Sequence, residues 1–137
     1  MVFDRRSSYV YNKEFSDEMQ CHCGCGEDEM DQDFMRMLQE LRDKAAFAFR
    51  INSARRCLKH NSAISSHKKK AGIHTFGKAC DIAVGHIGTT QTLKLIKQAQ
   101  DLGFTGLGLN LRGPRQSRFI HIDSRGTDFS PPAVWTY

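Results

Sequence analysis

The chain predicts an α+β domain, a small antiparallel sheet with helices packed mainly on one face. Three observations point there. Apolar residues at helical spacing are confined to two segments, short alternating runs lie between and after them, and 137 residues suffice for one core but not two. Residues 1–137 therefore read as a single domain.

The elements follow in order. Residues 1–30 read as irregular, with Gly24 and Gly26 marking turns around an acidic stretch, Glu27-Asp28-Glu29. From Asp31, a suitable cap, the spacing predicts a helix. Phe34, Met37, Leu38 and Leu41 share one face, and Arg36, Gln39, Glu40 and Arg42 take the other. Phe47 to Ser53 alternates as a strand does. Ala54 to Lys70 is polar and loop-like, and Ala79 to Val84 reads as a second strand. A second helix is expected after a cap at Thr89 or Thr90. Leu93, Ile96 and Leu102 form its apolar repeat, and Gly103 stands where a terminating glycine belongs. Phe104–Leu109 and Arg118–Asp123 complete the strands. In the latter, Phe119, His121 and Asp123 share a face because side chains alternate. The tail from Pro131 to Tyr137 is expected to pack its aromatics on the body.

Composition excludes several classes. With 39% hydrophobic and 26% charged residues the chain has a globular rather than a disordered profile. No apolar run approaches the roughly 18 residues of a membrane helix. Met1 to Arg6 shows no apolar segment behind its charges, so no secretory signal is visible and synthesis in the cytoplasm is expected. A net charge of +5 favours polyanionic partners such as nucleic acid, anionic lipid or a cell-wall polymer. The densest basic run, His67-Lys68-Lys69-Lys70, reads as a solvated loop. Interleaved aromatics and a recognised module are missing, so nucleic acid is not the expected partner.

Cys21, Cys23 and Cys25 crowd into Cys-His-Cys-Gly-Cys-Gly, with Cys57 and Cys80 elsewhere. An odd count without a signal argues against a complete disulfide framework. The expectation is reduced thiols partly packed in a turn. A second, structural metal is the alternative, and the usual second ligand pair at finger or ribbon spacing is missing.

The chemistry-bearing pattern is Gly72-Ile73-His74-Thr75-Phe76-Gly77-Lys78-Ala79-Cys80-Asp81, followed by His121-Ile122-Asp123. Two imidazoles and a carboxylate, His74, Asp81 and His121, make a candidate three-ligand metal site with an open position. Zinc accepts such donors at about 2.0–2.2 Å, and an open site suits hydrolysis because the ion polarises a carbonyl and activates water. Ferrous iron also tolerates this donor set. His22, His60, His67 and His86 read as ordinary surface or packed histidines. Asp123 is the candidate general base, with orientation of a ligand histidine as its other reading.

These motifs resemble the zinc D-Ala-D-Ala carboxypeptidase and endopeptidase family, which includes phage endolysins and is similar in its zinc site to the hedgehog amino-terminal domain. Ser53-Ala54-Arg55-Arg56-Cys57-Leu58-Lys59-His60-Asn61 resembles that family's Ser-Gly-Tyr-Arg-Cys-Pro-x-His-Asn segment. Phe15 to Cys25 is similar to its opening, and Arg125-Gly126 and Trp135-Thr136-Tyr137 match as well. The resemblance spans essentially the whole chain.

It implies one zinc held by His74, Asp81 and His121, with Arg56 meeting the substrate's carbonyl or carboxylate and Ser53 beside it. A planar guanidinium suits either group. It further implies a peptidoglycan stem or cross-link peptide as substrate, reached through a lysis partner or particle delivery. Two departures stand out: Gly72 replaces the family serine, whose hydrogen bond is then missing or supplied by Ser65 or Ser66, and Arg118 stands where several members carry an acid. They motivate the alternative of a catalytically inactive, zinc-stabilised binding module for the cell wall or virion.

Overall fold

The computed structural model describes residues 2–3, 19–25, 29–59, 72–126 and 131–137. His60, Ser65, Ser66 and the basic run at 67–70 lie outside these residues, as do Phe15 to Glu18.

Among the described residues six strands form one sheet: β1 (Val2–Phe3), β2 (Phe49–Ser53), β3 (Ala79–Ala83), β4 (Gly106–Asn110), β5 (Phe119–Asp123) and β6 (Ala133–Thr136). Their spatial order is β1-β2-β3-β5-β4-β6. Neighbours run antiparallel except β4 and β6, which are parallel. The sheet is therefore mixed rather than wholly antiparallel. The tail expected only to pack its aromatics adds a strand, because its amides continue the ladder that β4 leaves open: Ala133 N–H donates to Thr105 O at 2.9 Å.

Helix α1 (Gln32–Ala45) starts as expected, with the Asp31 side chain accepting from Phe34 N–H at 2.9 Å. Phe34, Leu38 and Leu41 are buried; so, unexpectedly, are Gln39 and Arg42. The buried face is wider than the sequence spacing suggested: the helix shares the core cluster with strand residues and also packs on helix α2 (Thr89–Asp101).

That second helix corrects two expectations. Gly88, not a threonine, is its N-cap, and Thr92 Oγ donates to Gly88 O at 3.0 Å. Its buried face carries Thr92, Leu95 and Ala99, while Leu93 is 62% exposed. Ile96 and Leu102 pack at the edge of the core, and Gly103 ends the helix with φ 98°.

Strand alternation sorts the two faces of the sheet. Phe49, Ile51, Cys80, Ile82, Leu107, Ile120 and Ile122 join Phe34, Leu38, Leu41, Leu95 and Ala99 in one buried core. Asp81, Gly106, Gly108, His121 and Asp123 alternate with them and so project from the opposite face. Both helices thus pack on one side, and the polar cluster occupies the other.

Candidate metal centre

His74 stands on a 3-10 turn, Ile73–Phe76, that enters β3. The turn ends at Gly77 with φ 69°, and the Gly77 carbonyl accepts from Asp31 N–H at 2.9 Å. Only glycine fits there: the conformation is left-handed and a Cβ would press on the Glu29 carbonyl. Where the family serine is replaced, the Gly72 carbonyl accepts from both Thr75 N–H (2.9 Å) and Thr75 Oγ (2.6 Å). Thr75 thereby closes the turn.

Asp81 and His121 lie directly opposite each other on β3 and β5. The three candidate ligands come together. His74 Nε2 is 3.2 Å from His121 Nδ1, His121 Nδ1 is 3.0 Å from Asp81 Oδ1, and His74 Nε2 is 3.5 Å from the same oxygen. Corners of a tetrahedron around an ion bound at about 2.1 Å are separated by about 3.4 Å, so the spacing suits a small cation.

The far nitrogen of each ring fixes its tautomer. His74 Nδ1–H donates to Ala54 O at 2.6 Å, and His121 Nε2–H donates to Asp123 Oδ2 at 2.6 Å. A carbonyl and a carboxylate can only accept, so each ring turns a lone pair inward. Three electron-pair donors then converge with no proton of their own between them. A cation satisfies that arrangement, and the donor set fits zinc.

The two rings differ electrostatically. Burial, the largest influence on His74, lowers its pKa below 6.5 despite Asp81 nearby. Burial also opposes charge on His121, but hydrogen bonds to Asp123 and Asp81 outweigh it and raise that pKa above 6.5. Burial pushes the Asp81 pKa upward, yet both histidines together hold it well below the usual carboxylate range.

Asp123 is fully buried and sits across the His121 ring from the inward-facing nitrogen. Arg125 grips both of its oxygens: Nε donates to Oδ1 at 2.9 Å, Nη2 donates to Oδ2 at 2.8 Å, and the Arg125 N–H donates to Oδ1 at 3.0 Å. Despite burial, the His121 and Arg125 hydrogen bonds bring the Asp123 pKa down to about 2.

Arg56 reaches the cluster's edge, with Nη2 3.4 Å from Asp81 Oδ2. Ser53 Oγ accepts from Arg56 Nε at 3.1 Å, so the serine's role within the chain is to hold the guanidinium. Arg118 lies elsewhere, its Nε donating to Gly113 O at 3.0 Å. His22 and His86 are exposed.

The places of Trp135, Gly106 and Gly108 at the site escaped the sequence reading. The Trp135 ring lies 5.1 Å from His121 and 4.7 Å from the Arg125 guanidinium, forming a wall of the site. Gly108 makes room for that ring and Gly106 for the Asp123 carboxylate. A Cβ at Gly106 would overlap the Asp123 carboxylate, and one at Gly108 would meet the Trp135 indole at 2.6 Å. The available signal was the run Gly106-Leu107-Gly108-Leu109, with leucines to the core and glycines to the site.

Fold and site define a class, an α+β domain bearing a buried His/Asp/His centre. The family model for Peptidase M15 matches residues 13–123, and the chain belongs to that family of zinc-dependent peptidases. No curated protein matches the chain. Among the described residues no helix is long and apolar enough to cross a membrane.

Proposed function

We propose that this protein is a zinc peptidase that hydrolyses a peptide bond in peptidoglycan, as a D-Ala-D-Ala carboxypeptidase or a stem or cross-link endopeptidase of the phage-lysin type. The observation that carries the reading is the convergence of His74 Nε2, Asp81 Oδ1 and His121 Nδ1 with both ring protons held on the far side. When bound, zinc would supply the Lewis acidity that polarises the scissile carbonyl and activates water.

The remaining work falls to the chain's own groups. Ala54 O keeps the His74 proton on Nδ1, and Asp123 keeps the His121 proton on Nε2. Arg56, steadied by Ser53, offers donors to a substrate carbonyl or terminal carboxylate. The burial of Asp123 and the engagement of both its oxygens favour the orienting role over proton shuttling. The net charge of +5 suits an anionic wall, and the motif resemblance supports stem peptides as the substrate class.

The binding-module reading draws support from the same engagement of Asp123, since Asp81 is the one carboxylate in the cluster among the described residues. Mass spectrometry of peptidoglycan fragments incubated with the zinc-loaded chain, beside His74→Ala, separates the two. Release of a defined peptide or terminal D-Ala, lost in the variant, supports the peptidase. Stoichiometric zinc with every fragment intact supports the module.

A further inference from the structure

A second group of metal-ligating side chains lies apart from the His/Asp/His centre. The sulfurs of Cys21, Cys23, Cys25 and Cys57 all fall within 4.8 Å of one another. The fourth sulfur, missing from the local sequence pattern, arrives from the segment that follows β2. We propose that these four cysteines form a closed thiolate site for a structural zinc ion.

Three distances argue for it. Cys21 Sγ is 3.4 Å from Cys23 Sγ and 3.8 Å from Cys57 Sγ, and Cys23 Sγ is 3.6 Å from Cys57 Sγ. A tetrahedron of sulfurs bound to zinc at about 2.3 Å has edges of about 3.8 Å. A disulfide would bring one pair to about 2.05 Å, and none of the four is in one. The Cys57 N–H donates to Cys21 Sγ at 3.4 Å, a contact that favours the thiolate.

The location gives the site a purpose. Cys57 follows Arg56 directly, and Arg55 N–H donates to Met19 O at 2.9 Å just before the Cys-His-Cys-Gly-Cys turn. Residues 19–25 thus lie against the loop that supplies both Ala54 O, which orients His74, and Arg56. A metal spanning Cys21, Cys23, Cys25 and Cys57 fastens that loop from behind. With four protein ligands it leaves no open position, so it is structural rather than catalytic. Binding releases the thiol protons, and the ion's free energy becomes folding free energy for this corner.

The test uses the full chain, loaded with zinc or with cobalt as the spectroscopic probe. Elemental analysis is expected to give two zinc ions per chain in the parent and one in His74→Ala. Cobalt-loaded His74→Ala should retain the sulfur-to-cobalt charge-transfer absorption of a tetrahedral thiolate site, and Cys25→Ser or Cys57→Ser should lose it. Should the serine variants fail to fold, thiol reactivity decides. Cys23 and Cys25 are exposed, and in folded His74→Ala they should react at least tenfold more slowly with zinc than after chelation. No zinc in folded His74→Ala, a bound ion there without the thiolate band, or equal thiol reactivity with and without zinc would overturn the proposal. Because these readouts use His74→Ala, they stand or fall separately from the peptidase reading.

Discussion

Asp123 lies across the imidazole of His121 from Asp81: Nε2 donates to Asp123 at 2.6 Å, while Nδ1 faces Asp81 at 3.0 Å. One ring therefore joins a carboxylate pinned by Arg125 to a carboxylate of the metal cluster. Asp123→Asn should weaken zinc binding by about 10–100-fold, the usual cost of losing an orienting partner. Excess zinc should restore most of the activity. If activity stays lost at saturating zinc, measured by metal titration alongside turnover, Asp123 is the base.

Arg56 tests the substrate side. Arg56→Ala should lower kcat/KM by about 10²–10³-fold, the scale of losing a donor to a developing oxyanion. Its zinc content should match the parent's. Unchanged kcat/KM on a cleaved fragment would remove Arg56 from the reaction.

Gly106→Ala should be destabilising out of proportion to one methyl group. The added Cβ occupies the space of the Asp123 carboxylate, which Arg125 and His121 prevent from moving. A cost of about 1–3 kcal/mol is expected from overpacking, read as a lower Tm, together with weaker zinc binding. An unaltered Tm would show that β4 can shift at no cost.

The two histidines give metal-free and zinc-loaded chains different pH profiles. His121, with its pKa raised above 6.5, contributes stability that is full below 6.5 and is lost as pH rises through the folded value. His74, with its pKa lowered, contributes the opposite slope, losing stability as pH falls below 6.5. Metal-free protein should thus show, from this pair, a stability maximum near pH 6.5. Zinc-loaded protein should keep gaining stability with pH through that range, because the ion displaces the proton. Parallel thermal melts would show the divergence; coincident profiles would mean that zinc does not engage this pair.

Much of this arrangement was legible in the residues. The His74, Asp81 and His121 spacing named the cluster, and period-two alternation put His121 and Asp123 on one face. Other features depend on partners remote in sequence. The parallel pairing of β6 with β4 brings Trp135 to His121, and nothing local to Pro131–Tyr137 encodes that choice. The buried face of α2 falls on Thr92, Leu95 and Ala99 rather than Leu93 because the neighbouring helix and sheet, not hydropathy alone, decide it. Cys57 meets Cys21 and Cys23 only through the fold, so sequence spacing understated the thiol cluster.

The direct pairing of Asp81 with His121 has a consequence for quality control. A slip of one residue between β3 and β5 would turn one ligand to the helical face and dismantle the donor set. Chains with the strands misaligned could then fold into something compact but could not hold the ion. Metal uptake would then act as a proofreading step, drawing the population toward the one alignment that can retain the ion.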